Sequence, residues 1–203
     1  MSGGTPQAPQ FPVNLNIEGR PVLVVGGGRI ALRKTEQLVV CGADITVVAP
    51  DIVPGFAGLP VTCIQRGVER GDIEGRWLVI TATGVREVDQ MVHDECNARR
   101  IWVNSADDPE RCSFTLPAVV RRGDLMITVS TAGASPAVSS YLRARLAEAI
   151  GPEWESVVRE IGGMRRSFHD SGRSTEDIDW SPLVAAVASW YDAQVPTARG
   201  IVQ

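Results

Sequence analysis

The sequence is poor in the residues that build metal sites and disulfide frameworks. Its 203 residues include only two histidines and four cysteines, and no two cysteines form a Cys-x-x-Cys pair. We therefore expect no histidine-based metal site. Dispersed cysteines of this kind are typical of reduced thiols, which indicates a cytoplasmic protein.

The chain also lacks a long apolar run and an excess of positive charge. No segment approaches the roughly 18 consecutive apolar residues of a membrane-spanning helix. Residues 1–10 lack the basic and apolar regions of a signal peptide, and we predict that they form a flexible arm. The formal net charge of −4 argues against a nucleic-acid surface. We therefore expect neither nucleic acid nor membrane as a partner.

What the sequence does contain is an alternation of short apolar runs with helical patterns. Apolar runs of the kind buried in parallel sheets occupy residues 21–25, 45–49, 61–64, 77–81 and 101–104. Helical patterns cover about residues 31–42 and 87–99. This alternation predicts an α/β fold with a Rossmann-type, doubly wound parallel sheet over residues 11–117.

The pattern changes in the second half of the chain. Apolar segments 114–120 and 125–131 flank residues 121–124, Arg-Arg-Gly-Asp, which we interpret as a hairpin turn. Pro136 is placed to begin a helix that ends near residue 150. We predict a hairpin and helix segment over residues 118–150, and a small helical C-terminal domain over residues 151–203. Because a lone domain would leave the apolar strand 125–129 uncovered, we expect this segment to form a homodimer.

A glycine-rich turn follows the first predicted strand. Residues 26–31, GGGRIA, fit the pattern G-x-G-x-x-G/A, in which Gly26 makes the tight turn and Gly28 lets a pyrophosphate approach the backbone. Asp51 follows the second strand and is placed to bind a ribose, with no neighbouring cation for a 2′-phosphate. The pattern therefore predicts NAD rather than NADP. Two alternatives stay open: a glycine turn without a ligand, and a simple turn at Pro50 and Asp51.

A pair of carboxylates follows the fifth predicted strand. Asp107 and Asp108 come at the edge of the sheet where open α/β proteins bind their ligands. A carboxylate there could accept a proton as a hydride leaves the substrate. The alternative is that Asp-Asp-Pro is only a turn.

Five motifs together resemble one known family, the precorrin-2 dehydrogenase / sirohydrochlorin ferrochelatase family, which is the N-terminal module of siroheme synthase. The resemblance covers about residues 11–166. The motifs are FPVNL at 11–15, VVGGGRIALRK at 24–34, NSAD at 104–107, CSFTLP at 112–117 and STAGASP at 130–136.

In this family NAD accepts a hydride from precorrin-2 to give sirohydrochlorin, and some members then insert ferrous iron. The resemblance implies that Asp107 is the acid–base residue, that the chain is a homodimer, and that the Ser-Pro loop helps to hold the carboxylates of the tetrapyrrole. The predicted cofactor contacts are Gly26, Gly28, Arg29, Ile30, Pro50, Asp51, Thr83 and Asn104. The predicted substrate contacts are Ser130, Thr131, Ser135 and Arg143.

Two other functions remain open at this point. One is a regulatory module that senses NAD without catalysis, and the other is a chelatase of the same fold without redox activity. Asp107 and the Ser-Pro loop favour the dehydrogenase.

Overall fold

The computed structural model describes residues 9–176 and 178–194. It divides into two compact units between Thr115 and Leu116. The predicted N-terminal arm lies outside the described residues, apart from Pro9 and Gln10. Within the described ranges, none of the helices has the length and apolar character needed to cross a membrane.

The first unit is built on a parallel five-stranded sheet. Its strands are β1 (Pro21–Val25), β2 (Asp44–Val48), β3 (Thr62–Ile64), β4 (Leu78–Thr81) and β5 (Trp102–Ser105). They lie in the order β3-β2-β1-β4-β5, and every neighbouring pair is parallel. This order is that of a Rossmann fold, and it confirms the predicted fold class.

Helices cover both faces of this sheet. They are α1 (Arg29–Val40) and α2 (Arg86–Arg99). Side chains of β1 alternate between two cores, so that Val24 packs in one core with Ala31 of α1 while Leu23 packs in the other with Val92 of α2. This arrangement explains why the strands are apolar at every position rather than at every second one.

Over its described residues, the second unit contains an antiparallel hairpin and three helices. Its elements are β6 (Ala118–Arg122), β7 (Leu125–Val129), α3 (Pro136–Ala149), α4 (Trp154–Asp170) and α5 (Ser181–Gln194). Pro136 begins α3 as predicted, and the Ser135 hydroxyl accepts a hydrogen bond from an N–H of the first turn.

The hairpin turn is shorter than the sequence predicted. The predicted turn at residues 121–124 is wrong in its first half, because both arginines lie in β6 and Arg122 pairs with Leu125. Gly123, at φ 55°, supplies the positive φ that a two-residue turn needs. Arg122 stays in the strand because its guanidinium donates hydrogen bonds to the C-terminal end of α3, including one of 2.9 Å to the Ala147 carbonyl.

The hairpin also begins later than predicted, because residues 114–117 do not belong to β6. The preceding segment runs beside β5 instead. Ser113 donates its N–H to the Val103 carbonyl (2.8 Å), and its hydroxyl accepts the Val103 N–H (2.7 Å). Phe114 packs against the core of the first unit. Ser113 and Phe114 therefore complete the first unit, which ends at Thr115.

Candidate functional site

The glycine turn at the carboxyl end of β1 combines a constrained position with an open one. Gly26 has φ 122°, and a Cβ atom built on it would lie 2.5 Å from the Ala82 carbonyl oxygen. Gly28 has an ordinary extended backbone, and no atom lies within 4 Å of the position its Cβ would take. The structure therefore requires glycine at Gly26, while Gly28 leaves the space that a pyrophosphate would fill.

Gly27 is a residue whose role the motif did not reveal. A Cβ atom built on Gly27 would lie 2.0 Å from the backbone oxygen of Asp51. Its carbonyl also accepts a 2.9 Å hydrogen bond from Val53 N–H. This close contact brings Pro50 and Asp51, both exposed, beside the glycine turn. The signal in the sequence was a third consecutive glycine where the pattern requires only two.

The first turn of α1 presents its N-terminal end next to Gly28. Arg29 and Ile30 are exposed there, whereas Ala31 is fully buried against the sheet. No acidic side chain lies in this turn. Unpaired N–H groups and the partial positive charge of a helix N-terminus stabilise phosphates. The turn therefore fits the pyrophosphate of a nicotinamide dinucleotide.

Thr83 lies at the same edge of the sheet, just beyond β4. Its backbone nitrogen would be 3.4 Å from a Cβ atom on Gly26. Its hydroxyl accepts the Val85 N–H (3.0 Å) and donates to the Asp89 carboxylate (2.8 Å). The Thr83 side chain thus holds the start of α2, and its backbone is the part that faces the glycine turn.

Asp107 occupies a tight turn at the carboxyl end of β5. Its backbone has φ 61°, a left-handed conformation that Asp tolerates better than most residues. The turn is closed by a 3.4 Å hydrogen bond from Asp108 N–H to the Ser105 carbonyl. The Cys112 thiol spans both ends of the turn, because its sulfur accepts the Ser105 N–H (3.2 Å) and lies 3.2 Å from the Asp108 carbonyl oxygen. Asp107 itself is exposed, and its carboxylate makes no hydrogen bond within the described residues.

The neighbouring Asp108 is used differently. Its carboxylate pairs with Arg111, whose side chain is buried and also donates a 2.8 Å hydrogen bond to Gln90. The two adjacent carboxylates therefore differ in availability: Asp108 anchors the turn, and Asp107 is left open to a ligand.

Asn104 is buried in β5, and its side-chain amide is engaged inside the protein. The amide nitrogen donates to the Phe114 carbonyl (3.0 Å) and approaches the Cys112 sulfur (3.5 Å). The amide oxygen accepts a 3.2 Å hydrogen bond from Lys34 Nζ. The two N–H groups of the Asn104 amide thus face Phe114 and Cys112. The amide oxygen therefore points toward Lys34 Nζ. The predicted contact of Asn104 with a cofactor stays a prediction.

Lys34 is a candidate site residue that sequence reasoning missed. It extends from α1 next to the buried Thr35, and it is the only lysine in the chain. Burial lowers the pKa of Lys34 from its usual value and the neighbouring Arg33 lowers it further, whereas Cys112 and Asp107 raise it. A single lysine in a chain that otherwise uses arginine was the signal that could have identified it.

The predicted substrate contacts lie in the second unit. The Thr131 hydroxyl accepts Ser135 N–H (3.1 Å), and the Ser130 hydroxyl accepts Ala132 N–H (3.2 Å). These hydroxyls therefore shape the loop before α3. Arg143 lies about two turns into α3, is exposed, and has no side-chain partner in the described part of the chain. Its guanidinium is free to bind an anion.

Comparisons with known proteins agree with this geometry. Residues 13–118 match the family described as "Putative NAD(P)-binding". Siroheme synthase 3 of Aeromonas hydrophila is 36% identical over 160 residues, 77% of this chain and 34% of the relative. The siroheme synthase of Acinetobacter baylyi is 37% identical over 184 residues, 87% of this chain and 40% of the relative. The chain thus spans little more than a third of the length of these relatives.

A solved structure has the same fold. SirC, a precorrin-2 dehydrogenase, superposes with a TM-score of 0.67 at 23% identity, covering 93% of this chain and 90% of that chain. The family match extends over both the glycine turn and the Asp107 turn. The chain therefore belongs to the family described as "Putative NAD(P)-binding", and its siroheme synthase relatives agree with the resemblance that its motifs predicted.

Proposed function

We propose that this protein oxidises precorrin-2 to sirohydrochlorin with NAD as the electron acceptor. The observation that carries the proposal is the exposed Asp107 carboxylate, held in a left-handed turn at the sheet edge that also presents the glycine turn. Siroheme synthase relatives and a precorrin-2 dehydrogenase of the same fold support this choice of reaction.

The oxidation removes a hydride and a proton from the tetrapyrrole. Bound NAD supplies the hydride acceptor. Asp107 Oδ accepts the proton, for which a carboxylate without internal partners is suited. Cys112 and the Asp108–Arg111 pair keep this carboxylate in place, because they hold the two ends of its turn.

The preference for NAD over NADP rests on Asp51. Its carboxylate is exposed beside the glycine turn and makes no hydrogen bond or ion pair with any described residue. A carboxylate at this position accepts hydrogen bonds from ribose hydroxyls and repels a 2′-phosphate. The charge at Asp51 therefore favours the cofactor without that phosphate.

The substrate carries eight carboxylates, so it needs cations in its site. Arg143 is the exposed guanidinium that we assign to one of them, since arginine binds carboxylates in a bidentate manner. Ser130, Thr131 and Ser135 fix the loop that precedes its helix. A homodimer, a cytoplasmic location and ferrous iron insertion by the same carboxylate all stay predictions.

An anaerobic assay of the purified chain tests the proposal. Precorrin-2 is supplied with NAD or with NADP, and sirohydrochlorin and reduced nucleotide are followed by absorbance. We expect equal amounts of the two products, and a higher kcat/KM with NAD. Asp51→Asn is expected to narrow the difference in kcat/KM between NAD and NADP. Nucleotide binding without any oxidation would instead support a sensing module, and iron insertion into supplied sirohydrochlorin without oxidation would support a chelatase.

A further inference from the structure

The helix α3 buries a hydroxyl rather than an apolar side chain. The structure describes all of α3, and Ser139, at 9% exposure, is the only buried residue of this helix. Its neighbours Val138, Tyr141 and Leu142 are exposed. Because a helix ordinarily buries its apolar stripe, a buried serine near its start needs an explanation other than core packing.

The Ser139 hydroxyl lies against the loop that precedes the helix. Its oxygen is 3.2 Å from the Thr131 hydroxyl oxygen and 3.4 Å from the Ser135 carbonyl oxygen. The Thr131 hydroxyl also accepts a 3.1 Å hydrogen bond from Ser135 N–H and lies 3.2 Å from the Ser135 carbonyl oxygen. Thr131, Ser135 and Ser139 therefore form one closed set of hydrogen bonds, the loop network.

The loop network uses the protons of both hydroxyls. Each hydroxyl has one proton to donate. If Ser139 donates to Thr131, the Thr131 proton goes to the Ser135 carbonyl. If Ser139 donates to that carbonyl instead, the Thr131 proton goes to the Ser139 oxygen. In both arrangements neither hydroxyl keeps a proton for the carboxylate of a ligand.

The backbone of the loop has a shape that needs to be held. Ala132 has φ 51° and Gly133 has φ 84°, so two successive residues take a left-handed conformation, which alanine rarely adopts. Residues 132–134 are exposed. The exposed Ser130 hydroxyl accepts Ala132 N–H, and its own proton has no acceptor among the described residues. The loop thus offers Ser130 to a ligand, while Thr131 is engaged in keeping the shape.

We infer that Ser139 is a positioning residue, which acts through Thr131 to hold this loop in the shape that binds carboxylates of the tetrapyrrole. The inference rests on the proposed function for the identity of that ligand. It assigns Thr131 to the loop network and leaves Ser130 as the hydroxyl that donates to the substrate. A loop that is already ordered binds its ligand more tightly, because its ordering does not have to accompany binding.

Backbone ¹⁵N relaxation measured by NMR tests the loop network without any ligand. Ser139→Ala removes one hydroxyl of the network, and we expect lower heteronuclear NOE values at residues 132–134 because the loop becomes more mobile. Ser140→Ala is the matched control, since Ser140 is the next residue, is exposed, and makes no side-chain hydrogen bond within residues 9–176 and 178–194. A loop as rigid in Ser139→Ala as in the parent would overturn the inference.

Titration with sirohydrochlorin, followed by absorbance, measures binding without turnover. We expect the Kd to rise by about 3–10-fold in Ser139→Ala, which corresponds to the loss of one hydrogen bond, and to stay unchanged in Ser140→Ala. The affinity for NAD should equal that of the parent in both variants. An unchanged Kd for sirohydrochlorin in Ser139→Ala would contradict the inference.

Variants of Thr131 test whether Ser139 acts through it. Thr131→Val removes the hydroxyl and should raise the Kd for sirohydrochlorin at least as much as Ser139→Ala does, whereas Thr131→Ser keeps the hydroxyl and should bind like the parent. Adding Ser139→Ala to Thr131→Val should raise the Kd no further, because the two residues belong to one network. Additive effects on the Kd would show that Ser139 does not act through Thr131.

The oxidation assay separates this inference from the proposed function. A parent chain that binds sirohydrochlorin without oxidising precorrin-2 would refute the proposed function, and the variants would still decide the inference. A parent chain that oxidises precorrin-2, with equal sirohydrochlorin affinity in every variant, would refute the inference alone. Failure of the parent to bind sirohydrochlorin would also refute the inference, while the oxidation assay still decides the proposed function.

Discussion

Two adjacent aspartates after β5 have different environments, and the difference comes from single contacts. Asp108 precedes Pro109 and pairs with the buried Arg111, whereas the exposed Asp107 makes no hydrogen bond within the described residues. A residue before proline tends to shape a turn, which fits the part that Asp108 plays. The structure shows that Arg111 is the partner of Asp108, which the local sequence pattern does not predict.

The Asp108–Arg111 pair predicts an effect on stability. Asp108→Ala leaves the buried Arg111 guanidinium without its carboxylate, and the free energy of unfolding should fall by about 1–3 kcal/mol. Urea denaturation measures this. Asp107→Asn, which removes a charge without an internal partner, is the control. Its free energy of unfolding should be close to that of the parent. Equal stability of Asp108→Ala and the parent would show that the pair contributes nothing.

Lys34 marks the limit of what the sequence could predict at this scale. It lies in a motif that was recognised, but a lysine on an amphipathic helix is ordinarily a solvated residue. Its hydrogen bond to Asn104 joins positions 70 residues apart. Only the fold brings them together, because α1 packs against the same sheet to which β5 belongs.

At the scale of elements, the glycine turn shows that neighbouring glycines serve different needs. Gly27 is required by packing, since a Cβ there would meet the Asp51 backbone at 2.0 Å. Gly28 is not required by packing, since its Cβ position is empty to 4 Å. We therefore predict that a bound ligand, rather than packing, is what requires glycine at Gly28.

This contrast predicts opposite results for two similar variants. Gly28→Val should fold with the thermal stability of the parent and lose NAD binding, because its side chain fills the space of the pyrophosphate. Gly27→Val should lower the thermal stability sharply, because the Asp51 backbone cannot move away from the added side chain without disturbing the loop. Calorimetry gives both unfolding and NAD binding. Normal NAD affinity in Gly28→Val would refute the assignment of this turn.

The strands of the first unit were predicted closely, and the hairpin was not. The strand predicted at residues 45–49 is β2 at Asp44–Val48 in the structure. The prediction was close because a strand buried on both faces is apolar at nearly every position. The hairpin turn was misplaced because two arginines resemble a loop, although Arg122 is held in β6 by carbonyls of α3. Periodicity identifies buried elements well, and it fails where a tertiary hydrogen bond keeps polar residues in a strand.

At the scale of the whole molecule, the second unit leaves apolar residues uncovered. Val138, Tyr141 and Leu142 lie on consecutive turns of α3, and each is exposed. A homodimer would cover such a surface, in agreement with the prediction made from the apolar strand of the hairpin.

Sedimentation measures the oligomeric state. We expect a species of twice the chain mass of 21.8 kDa at micromolar concentration. Leu142→Asp should shift this species toward the monomer, and Arg145→Asp, an exposed change on the same helix, is the control. A parent chain that sediments as a monomer would contradict the prediction.

We propose that Asp107 accepts the proton during oxidation of precorrin-2 by NAD. The most direct measurement compares the parent with Asp107→Asn at saturating NAD, by following NADH formation anaerobically. Asparagine also adopts left-handed backbone, so the turn is preserved while the proton acceptor is removed. We predict unchanged NAD affinity and a rate lower by about 10²–10⁴-fold. Oxidation of precorrin-2 by Asp107→Asn at the rate of the parent would contradict it.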